Sequence, residues 1–300
     1  MDRKKRNSFV FIIPVRNPGD TKVRDYQCIE AALRETVRSL TQQTWENIHV
    51  IVVCHTVPLW SSEYGDRVTF LNVKNSPVFP PNTNPVRVDK GLKYILGILY
   101  AKNILDPALI MPMDADDYVN VNLAKELIWK NKFNLLSDGY VVRQGLHVNL
   151  EITSEYLIKY ENAYQIRNFN YSCGSCRIFK INPLLKKLKS IDSNIIEEFT
   201  CWPPKSSDFS LDVPKEPVVW LSDHSRSSYL DEDSIVNILG RHINQKPYFK
   251  LSPLSLIGAA KGCGHGNHDG PRQGEIHQDK LIDSFPIQQF YDEFGLLERN

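Results

Sequence analysis

The feature that most constrains this chain is a set of apolar runs that do not alternate. Ser8 to Val15 reads SFVFIIPV, Ile48 to Cys54 reads IHVIVVC and Ala108 to Met113 reads ALIMPM. A strand with one face in water alternates apolar and polar residues. A strand apolar on both faces belongs inside a mainly parallel sheet, covered by helices above and below. Between these runs, Ile29, Leu33, Val37 and Leu40 recur at the spacing of one helix face. Val68 to Val73 reads as a further strand, the Pro- and Asn-rich stretch Ser76 to Pro85 as a loop, and Gly91 to Asn103 as a helix. Strand and helix therefore alternate with short connections, which predicts right-handed crossovers and an α/β, Rossmann-like, mainly parallel twisted sheet flanked by helices.

Beyond residue 118 the pattern predicts a helix over Asn122 to Lys132, mostly strand over Tyr140 to Ile152, and a strand running into a basic helix over Arg177 to Leu188. Val213 to Trp220 reads as a strand and Ser234 to His242 as a helix. The glycines of Ala259 to Gly274 predict a flexible loop, and Asp279 to Leu297 reads as a terminal helix.

Composition narrows the function classes. The 300 residues carry 36 basic and 35 acidic side chains, a net charge of +1, so the surplus that a nucleic-acid partner requires is missing. The basic start Arg3-Lys4-Lys5-Arg6 is followed by an apolar run broken by Pro14 and ending at Arg16, which is not a secretory signal. No apolar stretch approaches the roughly 20 residues of a membrane helix. The expected location is cytoplasmic, with at most peripheral membrane association through the basic tail, residues 1–7. Six cysteines in 300 residues do not make a disulfide scaffold. Cys54, inside a Val and Ile run, is expected to be an inert buried thiol. A zinc site from Cys173, Cys176, Cys263 and His265 is conceivable, but nothing else in the chain has finger spacing.

In a doubly wound sheet, ligands bind at the carboxyl ends of the strands. Three loops converge there: Pro14 to Asp20, Cys54-His55 and Asp114-Ala115-Asp116-Asp117. The last is the sharpest local signal. Carboxylates crowded at one strand end repel one another unless a cation neutralises them. Their hard oxygens suit Mg²⁺ or Mn²⁺, whose shells are commonly completed by substrate phosphates. The plainer alternative makes Asp117 the cap of a helix entered near Asn120.

Four blocks in order carry a family resemblance: Phe11-Ile-Ile-Pro-Val-Arg-Asn17, Ser39-Leu-Thr-Gln-Gln-Thr-Trp45, Ile48-His-Val-Ile-Val-Val53 and Asp114-Ala-Asp-Asp117. The chain resembles a family 2 glycosyltransferase of the GT-A fold over about residues 8–120. The resemblance implies a nucleotide-sugar-binding half over 8–120, with 121–300 as the acceptor-binding and C-terminal half of the same domain. It implies a UDP- or GDP-sugar donor, a glycan or other hydroxyl acceptor, and Mn²⁺ or Mg²⁺. Pro14, Val15 and Arg16 would hold the nucleoside. Asp114 would lie by the ribose and metal, with Ala115 beside it, and Asp116 would ligate the metal. Val88-Asp89-Lys90-Gly91 resembles the family segment before the fourth strand, bringing Asp89 and Lys90 to the nucleotide; an ordinary solvated helix start is the alternative for Lys90. One departure stands out. The family places an acidic residue after the second strand to read the base, whereas this chain has Cys54-His55-Thr56, which leaves the nucleotide open.

In the second half, Ser172-Cys-Gly-Ser-Cys-Arg-Ile-Phe179 is similar to the family's acceptor-side segment. Asp231-Glu-Asp-Ser234 resembles the pair that holds the catalytic base. An inverting transfer needs one carboxylate to take the acceptor's proton, which points to Asp233 with Glu232 beside it and Glu198 in reserve. Acidic residues in a helix's first turn also occur with no catalytic role. His265-Gly-Asn267 looks like the segment that supplies a further metal ligand in several GT-A enzymes, with His268 nearby.

Two other readings compete. Gly266-Asn-His-Asp269 matches the central signature of dinuclear metallophosphoesterases, but the Asp-x-His and Gly-Asp-x-x-Asp segments such a site needs are absent from the sequence. A GT-A scaffold that binds nucleotide sugar without catalysis is the other, kept open by Cys54-His55.

Overall fold

The computed structural model describes residues 7–20, 23, 25–73, 85–153, 155–156, 158–166, 169–171, 173–191, 251–263 and 281–296. Strands β1 (Phe9–Pro14), β2 (Ile48–Cys54), β3 (Val68–Asn72) and β4 (Leu109–Pro112) form a parallel block in the order β3-β2-β1-β4. The chain order reverses beside β1, which lies between β2 and β4 and so opens a crevice at their carboxyl ends.

The non-alternating runs have a direct structural cause. Phe9, Phe11 and Ile13 of β1 face one core together with Val50, Val52, Leu109 and Met111. Val10 and Ile12 face a second core with Ile51, Val53 and Ile110. Helices α1 (Tyr26–Thr41) and α3 (Leu123–Asn131) cover the first core, and α2 (Pro85–Tyr100) and α4 (Ile181–Ile191) the second. Every residue of β1 and β4, and all of β2 except the half-buried His49, is buried because both faces carry a helix layer.

Local chemistry sets the helix limits. Asp25 caps α1 by accepting from the Gln27 amide at 2.9 Å, and the periodic Ile29, Leu33, Val37 and Leu40 are all buried. Gly97 lets α2 settle onto β1. A Cβ there would stand 2.4 Å from Ile12 Cγ2. After α2 one π turn, Ala101–Leu105, ends at Asp106 with φ of 45° and turns the chain into β4.

The second half extends the sheet in antiparallel fashion. β8 (Arg177–Lys180) pairs with β4, then come β6 (Gly139–Ile152), β7 (Ile158–Ile166) and β10 (Leu281–Phe285). β9 (Leu251–Cys263) runs parallel to β6, and the short β5 (Asp117–Val119) pairs antiparallel with β9. Helix α5 (Ile287–Phe294) packs Phe290 and Phe294 under the β6–β7 hairpin with Tyr118 and Tyr160.

Three expectations are corrected. Residues 259–263, read as flexible loop, are the end of β9: Ala259 and Ala260 are buried there, Ala259 in the first core and Ala260 on the other face with Tyr118 and Phe290. Asp279 to Leu297 is not one helix, since Pro286 separates β10 from α5. Asp117 does not cap a helix. It opens β5 and is buried, while α3 starts after Asn122. Val213 to Trp220 and Ser234 to His242 lie outside the described residues.

Candidate active site

At the end of β4 the chain leaves the sheet through Met113 and presents Asp114, Asp116 and Asp117, whose ligand atoms lie within 4.8 Å of one another. A backbone relay fixes this turn. The Asp114 amide donates to Ser175 Oγ at 2.7 Å, and that hydroxyl donates to Asp117 Oδ2 at 2.6 Å. Cys173 Sγ donates to the same oxygen at 3.1 Å. Ser175 is fully buried. Between them Gly174 sits against Asp114; a Cβ there would lie 3.1 Å from Asp114 Oδ2. From the opposite side, Thr36 Oγ1 of α1 donates to the Ala115 carbonyl at 3.0 Å.

The electrostatics follow from this crowding. Asp117 is pushed up to about 7, first by burial and then by the charges of Asp116 and Asp114, against the hydrogen bonds from Ser175 and Cys173. Cys173 is raised well above its ordinary value by burial and by Asp117, so it stays a thiol and a donor. One cation is built in: Lys90 Nζ of α2 donates to Asp114 Oδ1 at 2.5 Å. Tyr94 OH stands 3.3 Å from the Met113 carbonyl and 3.5 Å from Asp114 Oδ1. Lys90 is thus not an ordinary solvated helix start.

The donor set fits Mg²⁺ or Mn²⁺. Asp114 and Asp116 offer hard carboxylate oxygens at the crevice mouth, and their charges add to burial in raising Asp117, a repulsion that a divalent ion would relieve.

A second group of charges lies deeper, between β1, β2 and α2. Lys93 Nζ has no exposure, yet it donates to the Val15 carbonyl and to Asp89 Oδ2, each at 2.6 Å. Burial raises Asp89 and lowers Lys93, and each is drawn back by the other's charge. His55 Nε2 lies 3.9 Å from Asp89 Oδ1 and 3.4 Å from Asn17 Nδ2. Burial, then Lys93, lowers His55 to about 4, so the imidazole is neutral near pH 7. Arg16 pairs with Asp20 at 2.7 Å in the same loop. Cys54 is fully buried and pushed up to about 12 by burial, an inert thiol as its sequence context predicts.

The structure therefore brings together Pro14, Val15, Arg16, His55, Asp89, Lys90, Asp114, Ala115 and Asp116 around the carboxyl ends of β1, β2 and β4. Glu198, Glu232, Asp233, His265 and His268 lie outside the described residues. Three contributors escaped the sequence reading: Lys93, Tyr94 and the hydroxyl of Ser175. Lys93 had a signal, being a lysine one helical turn after Asp89 inside the apolar stretch LKYILGILY. Such a lysine is buried only if it is paired. Among the described residues the Asp114, Asp116 and Asp117 group is the only one with metal-ligand geometry. Of the conceivable zinc ligands, Cys173 and Cys176 are buried, and Cys173 is committed to Asp117.

No family model matches this chain, and no curated protein sequence matches it. Solved structures similar to it match at low identity and low TM-score. TarS from S. aureus is 19% identical with a TM-score of 0.36, covering 60% of this chain, which spans 29% of TarS. HddC from Yersinia pseudotuberculosis is 12% identical with a TM-score of 0.34, covering 70% of this chain and 86% of its own. The galactosyltransferase LgtC, solved with donor and acceptor sugar analogs, is 10% identical with a TM-score of 0.35, covering 98% of this chain and 97% of its own. At these scores the α/β assignment stands on the strand order itself.

Proposed function

We propose that this chain is a metal-dependent glycosyltransferase that moves a sugar from a nucleoside-diphosphate sugar to an acceptor hydroxyl, with inversion. The observation that carries this reading is the crowded Asp114, Asp116 and Asp117 group at the mouth of the crevice, with the Lys90 ammonium donating to Asp114. Asp114 and Asp116 would hold Mg²⁺ or Mn²⁺, which supplies positive charge to a diphosphate leaving group. Lys90 adds a second positive charge on the donor side. Ser175 holds the acidic turn in place through the Asp114 amide. Pro14, Val15 and Arg16 line the nucleoside end, and Lys93 pins the Val15 carbonyl from beneath.

Asp89 takes the role of the acid missing after β2. Its Oδ2 is engaged by Lys93, which leaves Oδ1, near His55, to accept from a base. One oxygen suits the single imide N–H of uracil; the paired N–H groups of guanine ask for both oxygens of a carboxylate. The donor is accordingly a uridine diphosphate sugar. In this reading Asp233, with Glu232 beside it, removes the acceptor's proton, with Glu198 the next carboxylate to test, and His265 and His268 add metal ligands.

Thermal unfolding with UDP-sugars and GDP-sugars, each with and without Mn²⁺, tests the donor half. Stabilisation by a UDP-sugar only when Mn²⁺ is present, lost in Asp116→Asn, is the expected result. Full transfer by Asp116→Asn or Asp233→Asn overturns the assignment of those residues. Donor binding without transfer to any acceptor favours a binding scaffold instead.

A further inference from the structure

The other end of the sheet carries a feature that the donor crevice does not explain. Four large apolar side chains stand out from the tip of α3 and the loop after it: Trp129 is 63% exposed, Phe133 72%, Leu135 83% and Leu136 82%. Isolated exposed apolar residues are ordinary, but four within eight positions form a patch of the kind that marks an interaction surface. The loop is not slack. The Phe133 and Asn134 amides donate to the Lys130 carbonyl, Asn134 Nδ2 donates to Ser252 Oγ at 2.9 Å, and Lys180 Nζ donates to the Asn134 carbonyl. It is tied from behind while its apolar side chains face outward.

The charges around it are complementary to an anionic surface. Lys125, Lys130 and Lys132 lie on the same segment. Lys130 pairs with Glu126 at 3.5 Å, and Lys132 Nζ stands 5.1 Å from the centre of the Trp129 ring. Register places the start of β1 at the same end of the sheet. Phe9 pairs with Leu109, Leu109 with Lys180, and Phe179 with Gly139, the first residue of β6 after the loop. Three strand spacings, about 14 Å, therefore separate Phe9 from the loop's exit. Asn7 is fixed there, its carbonyl accepting from Trp45 Nε1 at 2.9 Å, and in the sequence Arg3, Lys4, Lys5 and Arg6 immediately precede it.

Exposed aromatic rings and leucines on one short segment, with lysine stems beside them, match what a bilayer interface accepts: apolar groups enter the acyl boundary and ammonium groups stay at the phosphates. We propose that Trp129, Phe133, Leu135 and Leu136 form a docking surface for an anionic lipid bilayer. The acidic crevice lies at the opposite ends of the strands, so docking leaves it open to solution. This inference does not depend on the reaction proposed above. No described helix is long and apolar enough to span the bilayer, and the association is peripheral.

The test is co-sedimentation of the full chain with vesicles of phosphatidylcholine and phosphatidylglycerol at roughly 3:1, against phosphatidylcholine alone. Wild type is expected to bind the anionic vesicles, with a blue shift of tryptophan emission that Trp129→Phe removes. Binding should weaken as salt rises from about 0.1 M to about 1 M. Leu135→Ser/Leu136→Ser should bind at least about tenfold more weakly with an unchanged unfolding temperature, because both side chains already face water. The proposal is overturned if wild type ignores anionic vesicles or if the double variant binds as well as wild type. It is also overturned if wild type is a dimer without lipid that the double variant abolishes, since the patch then joins two copies of this chain.

Discussion

Two acidic groups share one crevice and solve the same problem differently. Asp89 is buried, and Lys93 neutralises its charge through Oδ2 from one turn further along the same helix, so that charge is met within the chain. Asp114, Asp116 and Asp117 crowd together with Lys90 on one of them, and Asp117 rises to about 7 through burial first and then the charges of Asp116 and Asp114. A closed pair is part of the architecture. An open cluster is a place for something else to bind.

The sharpest way to break this contrast is to open the closed pair. Lys93→Met leaves Asp89 buried without its cation and is expected to cost about 3–5 kcal/mol in unfolding free energy, with much of it recovered in the Asp89→Asn/Lys93→Met double variant. Denaturant titration of the single and double variants measures this; equal losses in both would mean that the pair is not the cause.

The matching change at the open cluster runs the other way. Asp116→Asn removes one repelling charge, so the metal-free protein should be as stable as wild type or slightly more so. Transfer activity should fall by about 10²–10³-fold, as for loss of one electrostatic contributor. A large loss of stability in this variant would show that the cluster is closed after all.

Ser175→Ala tests the scaffold under the cluster. It removes the acceptor of the Asp114 amide and a donor to Asp117, and about 1–3 kcal/mol of stability should go with them. Thermal unfolding measures it, and no change would mean that water replaces the hydroxyl freely. The smallest effect is expected at His55. Its folded value of about 4 lies below the ordinary 6.5, so the native state binds fewer protons than the unfolded chain between those values. Stability contributed by the neutral ring is present above pH 6.5 and is lost as pH falls towards 4. His55→Asn should flatten the fall of unfolding temperature across that window.

The parallel half was legible because burial on both faces leaves an unmistakable composition. Val50 to Val53 has no polar residue, and its strand falls where the sequence predicts it. The helix of Ile29, Leu33, Val37 and Leu40 was equally plain, since one face alone is apolar. The antiparallel half was harder to read. β7, with Lys159, Glu161 and Asn162 exposed, left too weak an alternation to be noticed, and β9 carries the small residues that elsewhere mean a loop. In the candidate site, Asp114 and Asp116 were visible as a sequence cluster. Ser175 was not, because its partner Asp114 lies 61 positions away; of the two Lys93 contacts, only the one with Asp89 one helical turn back had a sequence signal, since the Val15 carbonyl lies 78 positions away.

The sequence by itself determined the α/β class, the two-sided burial of β1, β2 and β4, and the acidic turn at the end of β4, all of which depend on neighbouring residues and their periodicity. Tertiary structure decided which of those charges are already answered. It joined Lys93 to Asp89 and the Val15 carbonyl, set Lys90 on Asp114, and buried Asp117 beneath Ser175 and Cys173. It also turned Trp129, Phe133, Leu135 and Leu136 outward at the far end of the sheet. Charge compensation and exposure depend on distances between segments remote in the chain, and those distances exist only once it has folded.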